Sequence, residues 1–283
     1  MAKAAANRIA FQGAPGAYSD LACWHVFPKM ETLPCGQFED AFAAVRDGEA
    51  ALAMIPIENS VAGRVADIHH LMPDSGLYII GEHFEPVHHH LLALPGATLK
   101  TIKTVRSHVH ALGQTRQFLR KNKLIAVVAA DTAGAAAEIA ERGDPTVAAI
   151  ASELAGRIYG LESLARNIED AAHNTTRFLV MSPKEKRAPR GKPTVTTFVF
   201  NVKNVPAALY KAMGGFATNG VNMTKLESYM VEGSFTATQF YADVEAHPDA
   251  RPLRLALEEL RFFSHEVKIL GVYPAAPKRA AKA

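Results

Sequence analysis

Residues 173–181, HNTTRFLVM, place five hydrogen-bonding residues directly before an apolar run. The apolar run Phe178–Met181 has the length and composition of a buried strand. Asn and Thr are common in turns, but Arg177 at the start of a buried strand needs a partner for its charge. We therefore expect the apolar run to be a core strand and the polar residues before it to line a functional surface.

Outward from this stretch, short apolar runs alternate with amphipathic stretches up to about residue 182. Residues 108–121 and 132–142 have the apolar spacing of helices. This alternation predicts an α/β architecture with mostly parallel sheets, in which ligands bind at the carboxyl ends of the strands. The predicted strands are Ile9–Gln12, Ala51–Ile55, Leu77–Gly81, His88–Leu94, Ile102–Arg106, Ile125–Ala129, Thr146–Ile150 and Phe178–Met181.

A second domain is predicted after residues 183–193, PKEKRAPRGKP, whose prolines and alternating charges are typical of a linker. Residues 194–274 have the order βαββαβ, the ferredoxin-like arrangement, with Gly233 in the hairpin turn between the middle strands. We expect the Ala/Pro/Lys-rich residues 275–283 to be disordered. The predicted elements are strand 194–202, helix 206–218, strands 222–231 and 234–244, helix 249–263 and strand 266–273.

The composition of the 283 residues, 48% hydrophobic and 21% charged, is that of a globular protein large enough for two domains. The net charge is +3, but outside 183–193 and the last ten residues there are 23 basic and 27 acidic residues. That balance argues against nucleic-acid binding. We see no apolar stretch of the ~20 residues that a membrane span needs, no signal peptide and, with two cysteines, no disulfide framework. We therefore expect a cytoplasmic protein without nucleic-acid or membrane partners.

Three polar clusters follow predicted strands in the first domain: GAPGAYSD (13–20), PIENS (56–60) and RSHVHALGQ (106–114). The glycines of the first allow close backbone approach, and Ser19 or Asp20 could cap a helix, although such a motif is more often only a tight turn. PIENS fits an Asx-type turn as well as a ligand contact. Ser107 is sufficiently explained as a helix cap.

The spacing of the His, Cys and Ser residues gives little support to a metal site or to a catalytic nucleophile. Twelve histidines include the run His88–His90, and His88 and His90 share one face of a strand. Neither HExxH nor paired CxxC spacing occurs, so we expect no metal site. There is no GxSxG elbow, and Cys23 beside Trp24 fits a core position.

The clusters share neutral hydrogen-bonding groups, with Arg177 as the accompanying cation. The planar guanidinium of arginine can donate two parallel hydrogen bonds to a carboxylate. Hydroxyls and amides donate hydrogen bonds without the cost of a buried charge. The set suits a small oxygen-rich anion; the alternative for Arg177 is a pair with a nearby carboxylate of the protein. The neutral members are Asn59, Ser60, Ser107, Gln114, Thr132, Asn174, Thr175 and Thr176.

Taken together, these motifs resemble the prephenate dehydratase family. HNTTRFLVM is similar to its Asn-x-Thr-Arg-Phe signature, and the resemblance covers residues 8–182. Residues 194–274 look like the ACT domain often fused to this enzyme. The other matching positions, in family order, are GAPGAYS, PIENS, His88–Leu92, Ser107-His108, Gln114, Tyr159-Gly160-Leu161, Leu164 and Asp170.

The resemblance implies a catalytic domain, residues 7–182, of two α/β lobes built like a periplasmic binding protein with the active site in the cleft. It implies that prephenate loses its C4 hydroxyl and a carboxylate to give phenylpyruvate in L-phenylalanine biosynthesis. Neither a cofactor nor a metal is expected, because aromatisation of the ring drives the reaction. A homodimer or homotetramer is expected.

Residue roles are carried over from the same resemblance. Thr176 is expected to contact the departing hydroxyl and Arg177 to grip or order carboxylates; with Asn59 and Gln114 they form the expected catalytic set. The expected substrate-binding residues are Ser60, Ser107, Thr132, Thr175 and Phe178.

Regulation by L-phenylalanine is expected through the second domain, with two departures from the family. Family members have Gly-Ala-Leu where this chain has Ala207-Ala208-Leu209, and Glu-Ser-Arg-Pro where it has Glu227-Ser228-Tyr229-Met230. The added methyl group of Ala207 puts this inhibition in question. Arogenate dehydratase and a non-catalytic small-molecule sensor remain alternatives. The candidate regulatory residues are Asn204, Ala207, Ala208, Leu209, Glu227 and Ser228.

Overall fold

A computed structural model describes residues 7–203, 205–230 and 237–280; Asn204 and the predicted turn at Gly233 lie outside the described residues. The chain divides into two compact units. Unit 1 comprises residues 1–65 and 83–178, and unit 2 comprises residues 66–82 and 179–283. The segment 66–82, which we had expected in the first domain, therefore belongs to unit 2.

The elements follow one another along the chain as strands alternating with short helices. The strands are β1 (Arg8–Gln12), β2 (Glu31–Cys35), β3 (Leu52–Asn59), β4 (Gly63–Arg64), β5 (Tyr78–Pro86), β6 (His90–Ala93), β7 (Thr104–Ser107), β8 (Ile125–Val128), β9 (Val147–Ala151), β10 (Glu162–Ala165), β11 (Thr175–Ser182), β12 (Thr194–Val202), β13 (Met223–Met230), β14 (Ala237–Val244) and β15 (Ser264–Pro274). The helices are α1 (Tyr18–Val26), α2 (Phe38–Arg46), α3 (Ala66–Leu71), α4 (Val109–Gly113), α5 (Arg116–Lys121), α6 (Thr132–Arg142), α7 (Glu153–Tyr159), α8 (Ala208–Thr218), α9 (Arg251–Phe263) and α10 (Pro277–Ala280).

Unit 1 contains two lobes, each built on its own sheet. In the first sheet β11, β3, β1 and β2 are successive neighbours, and β1 is parallel to both β2 and β3. The second sheet has the order β10-β6-β9-β7-β8, with β7 parallel to β8 and β9 and β6 antiparallel to β9 and β10. The α/β expectation is confirmed.

Two local expectations in unit 1 differ from the structure. The stretch 108–121 forms two helices, α4 and α5, rather than one. Thr115 separates them, because its backbone leaves the helical region (φ −128°, ψ 22°) and its hydroxyl donates to the Ala111 carbonyl instead. Strands β2, β4 and β10 were not predicted. β4 has only two residues, and β2 includes Pro34 and is only partly buried, so it lacks a continuous apolar run.

Unit 2 has the predicted βαββαβ order, formed by β12, α8, β13, β14, α9 and β15. Its strands lie in the order β13-β14-β12-β15 and pair antiparallel, and α8 and α9 contribute apolar faces to one core. Phe198 and Phe216 stack in that core with ring centroids 5.9 Å apart. β15 also pairs parallel with β5, Gly271 opposite Ile79. A side chain at Gly271 would collide with the Ile79 carbonyl, which explains the glycine.

Part of the segment 275–283 forms the single turn α10 rather than the disorder expected from its composition. Arg279 forms ion pairs with Glu82 (Nε–Oε1, 2.6 Å) and Glu245 (Nη1–Oε1, 3.1 Å). The Glu82 side chain is fully buried, and a buried carboxylate requires a cationic partner, which this turn supplies. Throughout the described residues, every helix is too short or too polar to cross a lipid bilayer.

Candidate active site

The side chain of Asn59, the last residue of β3, joins two neighbouring strands of the first sheet. Its amide nitrogen donates to Thr176 Oγ1 at 3.0 Å and to Asn174 Oδ1 at 2.8 Å. Its Oδ1 accepts from the backbone N–H groups of Val61 and Ala62, at 2.9 and 2.8 Å. PIENS is therefore an Asx-type turn, and the turn fixes which end of the Asn59 amide faces Thr176.

Gln114 extends the network toward the second lobe. Its Oε1 accepts from Asn174 Nδ2 and lies the same distance, 2.8 Å, from His89 Nε2. The backbone carbonyl of Gln114, at the end of α4, accepts from the Asp170 N–H at 2.6 Å. Asn174 is buried and uses both ends of its amide, one toward Asn59 and one toward Gln114.

His89 and Tyr18 complete the chain of contacts. Because Gln114 Oε1 carries no hydrogen, His89 Nε2 must be the protonated nitrogen, and His89 Nδ1 accepts. Tyr18 Oη lies 2.8 Å from both His89 Nδ1 and the His88 carbonyl, and its single hydrogen is shared between these two acceptors. Burial lowers the pKa of His89 and raises that of Tyr18, so both side chains are neutral at pH 7.

We call Tyr18, His89, Gln114, Asn174, Asn59 and Thr176 the amide network. It begins at Tyr18 on α1, which packs on the first sheet, reaches the second lobe at Gln114 and returns to the first sheet at Asn59 and Thr176. All its members are neutral groups. Since Thr176 Oγ1 accepts a hydrogen bond from Asn59, its own hydrogen points elsewhere. Among the described residues, no acceptor takes that hydrogen. Tyr18 and His89 were not among the predicted site residues; their signals were the GAPGAYS motif and the histidine run at 88–90, which we considered as metal ligands and as part of the family match but assigned no role in the site.

Arg177 is nearly fully buried and forms an ion pair with Glu58 (Nη1–Oε1, 3.0 Å). Its guanidinium carbon lies 6.0 Å from the centre of the Phe84 ring. A buried guanidinium requires a counter-charge, and here Glu58 of the PIENS motif provides it. The pairing with a protein carboxylate, which we had treated as the alternative to a ligand role, is therefore present.

Ser60 and Thr175 hold the end of β3 against the start of β11. The Ser60 hydroxyl donates to the His173 carbonyl at 2.8 Å and accepts from the Thr175 N–H at 3.0 Å. The Ser60 N–H donates to the Thr175 carbonyl at 2.9 Å. Both residues adjoin Asn59 and Thr176 in sequence, so they set the spacing between the two side chains of the network.

Ser107, Thr132 and Phe178 are not joined to the amide network by any described hydrogen bond. Ser107 is buried and its hydroxyl donates to the Ile150 carbonyl at 2.6 Å; the cap of α4 is His108, not Ser107 as expected. Thr132 begins α6 behind the capping Asp131. Phe178 is 1% exposed and belongs to the core.

The GAPGAYSD loop positions Tyr18 by close packing on α7. Gly16 has φ +87°, and a Cβ there would lie 2.6 Å from Ala155 Cα. The Ser152 hydroxyl donates to the Gly16 carbonyl, and the Gly16 N–H donates to Asp20 Oδ2 at 2.8 Å. The cap of α1 is Ala17, so neither Ser19 nor Asp20 caps the helix, and Asp20 instead restrains the loop.

The model of the family described as prephenate dehydratase matches residues 9–186 of this chain. The chain belongs to the prephenate dehydratase family. All six residues of the amide network lie within the matched range. The polar stretch 173–177, whose last three residues begin β11, is thus the family's signature segment, and it meets the second lobe through Asn174 and Gln114.

Three relatives match this family member over at least 94% of its length. A protein of Komagataeibacter europaeus named bifunctional N-acyl-homoserine lactone acylase/prephenate dehydratase is 56% identical, over 96% of this chain and 97% of its own. Arogenate dehydratase/prephenate dehydratase 1 of Arabidopsis thaliana is 40% identical, over 94% and 72%. The solved prephenate dehydratase of Arthrobacter aurescens, in complex with L-Phe, is 32% identical with a TM-score of 0.87, over 96% and 91%.

Proposed function

We propose that this chain catalyses the decarboxylative dehydration of prephenate to phenylpyruvate, as a carbon–oxygen lyase of L-phenylalanine biosynthesis. Family membership supports the reaction. The observation that carries the residue assignment is the direction of the Asn59–Thr176 hydrogen bond. It leaves the Thr176 hydroxyl hydrogen available to the departing C4 oxygen of the substrate.

The chemistry requires help at the leaving group. When the carbon–carboxylate bond breaks, its electron pair enters the ring and the C4–oxygen bond breaks, giving carbon dioxide, an aromatic ring and a hydroxide that is protonated to water. A hydrogen bond to that oxygen stabilises the transition state most, because charge develops there only as the bond breaks. Accepting a hydrogen bond from Asn59 makes the Thr176 hydroxyl a stronger donor.

Arg177 is assigned an ordering role in this proposal. Arg177 forms an ion pair with Glu58, the residue before Asn59 in the PIENS segment. We therefore assign Arg177 to holding this segment in place and not to direct binding of a substrate carboxylate. Gln114 and Asn174 orient Asn59, and His89 and Tyr18 hold Gln114. We assign Ser60 and Thr175 to pocket geometry.

An activity assay on the purified chain tests the proposal. Prephenate at neutral pH should yield phenylpyruvate, which is measured by its absorbance in alkali. Thr176→Ala should lower kcat at least ~10²-fold with a smaller effect on KM, because the contact is made in the transition state. Thr176→Ser, which keeps the hydroxyl, is the matched control. A near-normal kcat in Thr176→Ala would reject the role of Thr176.

Arogenate is an alternative substrate, since the Arabidopsis relative is named for both activities. One or two pocket residues decide such a preference. Parallel kcat/KM measurements on prephenate and arogenate distinguish the two, and binding of either without turnover would indicate a sensor.

Acylase activity on N-acyl-homoserine lactones is a second candidate, supported by the name of the 56%-identical relative. Release of homoserine lactone, followed by mass spectrometry, tests it. Comparison with Thr176→Ala then shows whether the two activities share a site. Unchanged acylase activity in Thr176→Ala would indicate that the acylase site lies elsewhere on the chain.

Unit 2 is proposed to be an ACT domain that senses L-phenylalanine, supported by its βαββαβ order and by the L-Phe complex of the Arthrobacter relative. Ala207 has φ +61°, a conformation that favours glycine, so the family glycine is replaced at a strained position. Ala208 and Leu209 begin α8, and Glu227 and Ser228 lie on β13. An activity titration with phenylalanine, tyrosine and tryptophan tests this; a flat response to phenylalanine would contradict it.

We also propose that the chain forms a homodimer or homotetramer and acts in the cytoplasm.

A further inference from the structure

A cluster of two histidines and one glutamate lies outside the amide network. His25 Nδ1 is 2.8 Å and His83 Nε2 is 2.7 Å from the same oxygen of Glu85, Oε2. The three ligand atoms lie within 4.8 Å of one another. All three residues belong to unit 1.

The fold explains why these side chains meet. His83 and Glu85 are two residues apart on β5 and therefore share one face of the strand, while Phe84 points to the other, toward Arg177. His25 comes from the last turn of α1. The ligands are supplied by two elements far apart in sequence, so the cluster exists only in the folded chain.

We propose that His25, His83 and Glu85 form a binding site for a divalent transition-metal ion of the zinc class. Two imidazole nitrogens and one carboxylate oxygen are a donor set that Zn²⁺ takes in proteins, with a fourth position left to water. Mg²⁺ and Ca²⁺ prefer oxygen donors only. The site is independent of the dehydratase proposal.

The spacing and the exposure both fit such an ion. Ligand atoms at ~2.0–2.1 Å from a tetrahedral ion are roughly 3.3 Å apart, so each present contact has to open by about half an ångström. The His25 side chain is 55% exposed and that of His83 is 26% exposed, so small rotations of the two rings suffice. The Glu85 side chain is 3% exposed, and a buried carboxylate gains from a cation that it contacts directly.

The position of Trp24 gives this proposal a sensitive readout. It is the only tryptophan of the chain, precedes His25 directly, and is half exposed. A paramagnetic ion such as Co²⁺ bound at His25 lies close enough to the indole to quench its fluorescence. Diamagnetic Zn²⁺ at the same site displaces Co²⁺ and restores the signal.

The experiment titrates full-length, chelator-treated protein with Co²⁺ and then with Zn²⁺. We expect saturable quenching of Trp24 at one Co²⁺ per chain, reversal by Zn²⁺ and no effect of Mg²⁺. His83→Ala, which keeps Trp24 and His25, should weaken Co²⁺ binding at least ~10-fold, as loss of one ligand or its support does. Saturating Zn²⁺ should raise the Tm of the parent chain, because the ion binds only the folded state.

His110→Ala is the matched control, because it removes one member of another neighbouring pair, His108 and His110, whose rings lie 5.0 Å apart. It leaves the same number of histidines as His83→Ala and should bind Co²⁺ like the parent chain. The half-exposed His25→Ala serves as a second test should His83→Ala fail to fold. Equal binding by His25→Ala and the parent chain, or quenching without saturation, overturns the proposal.

Discussion

Replacing Asn59 by aspartate reverses one hydrogen bond while keeping the shape of the side chain. The retained Oδ1 still accepts from the backbone N–H groups of Val61 and Ala62, so the turn after β3 is preserved. The second oxygen replaces an amide nitrogen that lies 3.0 Å from Thr176 Oγ1. Because a carboxylate only accepts, the Thr176 hydroxyl then donates to residue 59.

The expected size of the effect follows from that reversal. A hydrogen bond from a hydroxyl to a carboxylate is about twice as strong as one between neutral groups, so the Thr176 hydrogen is withdrawn from the substrate oxygen. We expect kcat to fall ~10²–10³-fold, the loss typical of a missing transition-state donor. The new charge also repels a dianionic substrate and raises KM. Only the hydrogen bond to Asn174 Oδ1 is lost, and it leaves two acceptor oxygens facing each other. This costs about 1–3 kcal/mol, which leaves a typical domain folded.

The assay compares kcat of the parent chain, Asn59→Asp, Thr176→Ala and the double variant. If both single changes remove the same donor, the double variant loses no more than the worse single one, because residues that act as a unit are not additive. Asn122→Asp is the control: Asn122 Nδ2 donates to the Phe118 carbonyl at 2.8 Å, outside the network. Its kcat should equal that of the parent chain.

Two results would refute this reasoning. The first is an Asn59→Asp kcat within about threefold of the parent chain while Thr176→Ala loses ~10²-fold, since the hydrogen-bond direction would then not matter. The second is a double variant whose loss equals the product of the single losses, because independent effects multiply in this way.

Three further predictions concern stability. Arg279→Ala should lower the free energy of unfolding in urea by about 3 kcal/mol, because it removes the guanidinium that forms an ion pair with the buried Glu82 side chain, whereas Arg190→Ala breaks an exposed pair with Asp249 and should cost under ~1 kcal/mol; equal losses would contradict this. Gly16→Ala, at φ +87° and against α7, should cost at least ~2 kcal/mol in the same assay, and a neutral effect would refute the packing argument. The pKa of buried His89 lies below 6.5, so the unfolded chain binds more protons and stability should fall as pH drops through about 6.5; His89→Gln should reduce that fall, and an unchanged pH dependence would exclude His89 as its source.

The ferredoxin-like unit could be predicted from the sequence because its signals are local. In this unit the predicted strand 194–202 coincides with β12. In the first domain the predicted helix 132–142 likewise coincides with α6. Both have strong apolar periodicity and clear boundaries. β2 was missed because its five residues include a proline and are partly exposed, so neither an alternating nor a continuous apolar pattern appears.

The candidate site was predictable only in part. The polar residues of HNTTRF and of PIENS could be recognised in the sequence as clusters next to predicted strands. The pairing of Tyr18 with His89, 71 residues apart, leaves no local pattern. The partner of Ser107 could not be predicted for the same reason, because its hydroxyl donates to the Ile150 carbonyl, 43 residues away. Sequence patterns find groups able to form hydrogen bonds, and the fold decides where each hydrogen goes.

A network of neutral groups suits the proposed reaction better than a fixed cation does. A fixed cation beside the C4 oxygen would attract the dianionic substrate before reaction as well as during it, and such uniform binding does not raise kcat. A hydroxyl interacts weakly with the intact substrate and strongly with the developing hydroxide. Arg177 is already balanced by Glu58, so this pair adds no net charge to the site. On this proposal the selective stabilisation rests on the one hydrogen of Thr176. Its direction follows from the hydrogen bond that Asn59 donates to Thr176, and Asn59 is in turn held by Asn174 and Gln114.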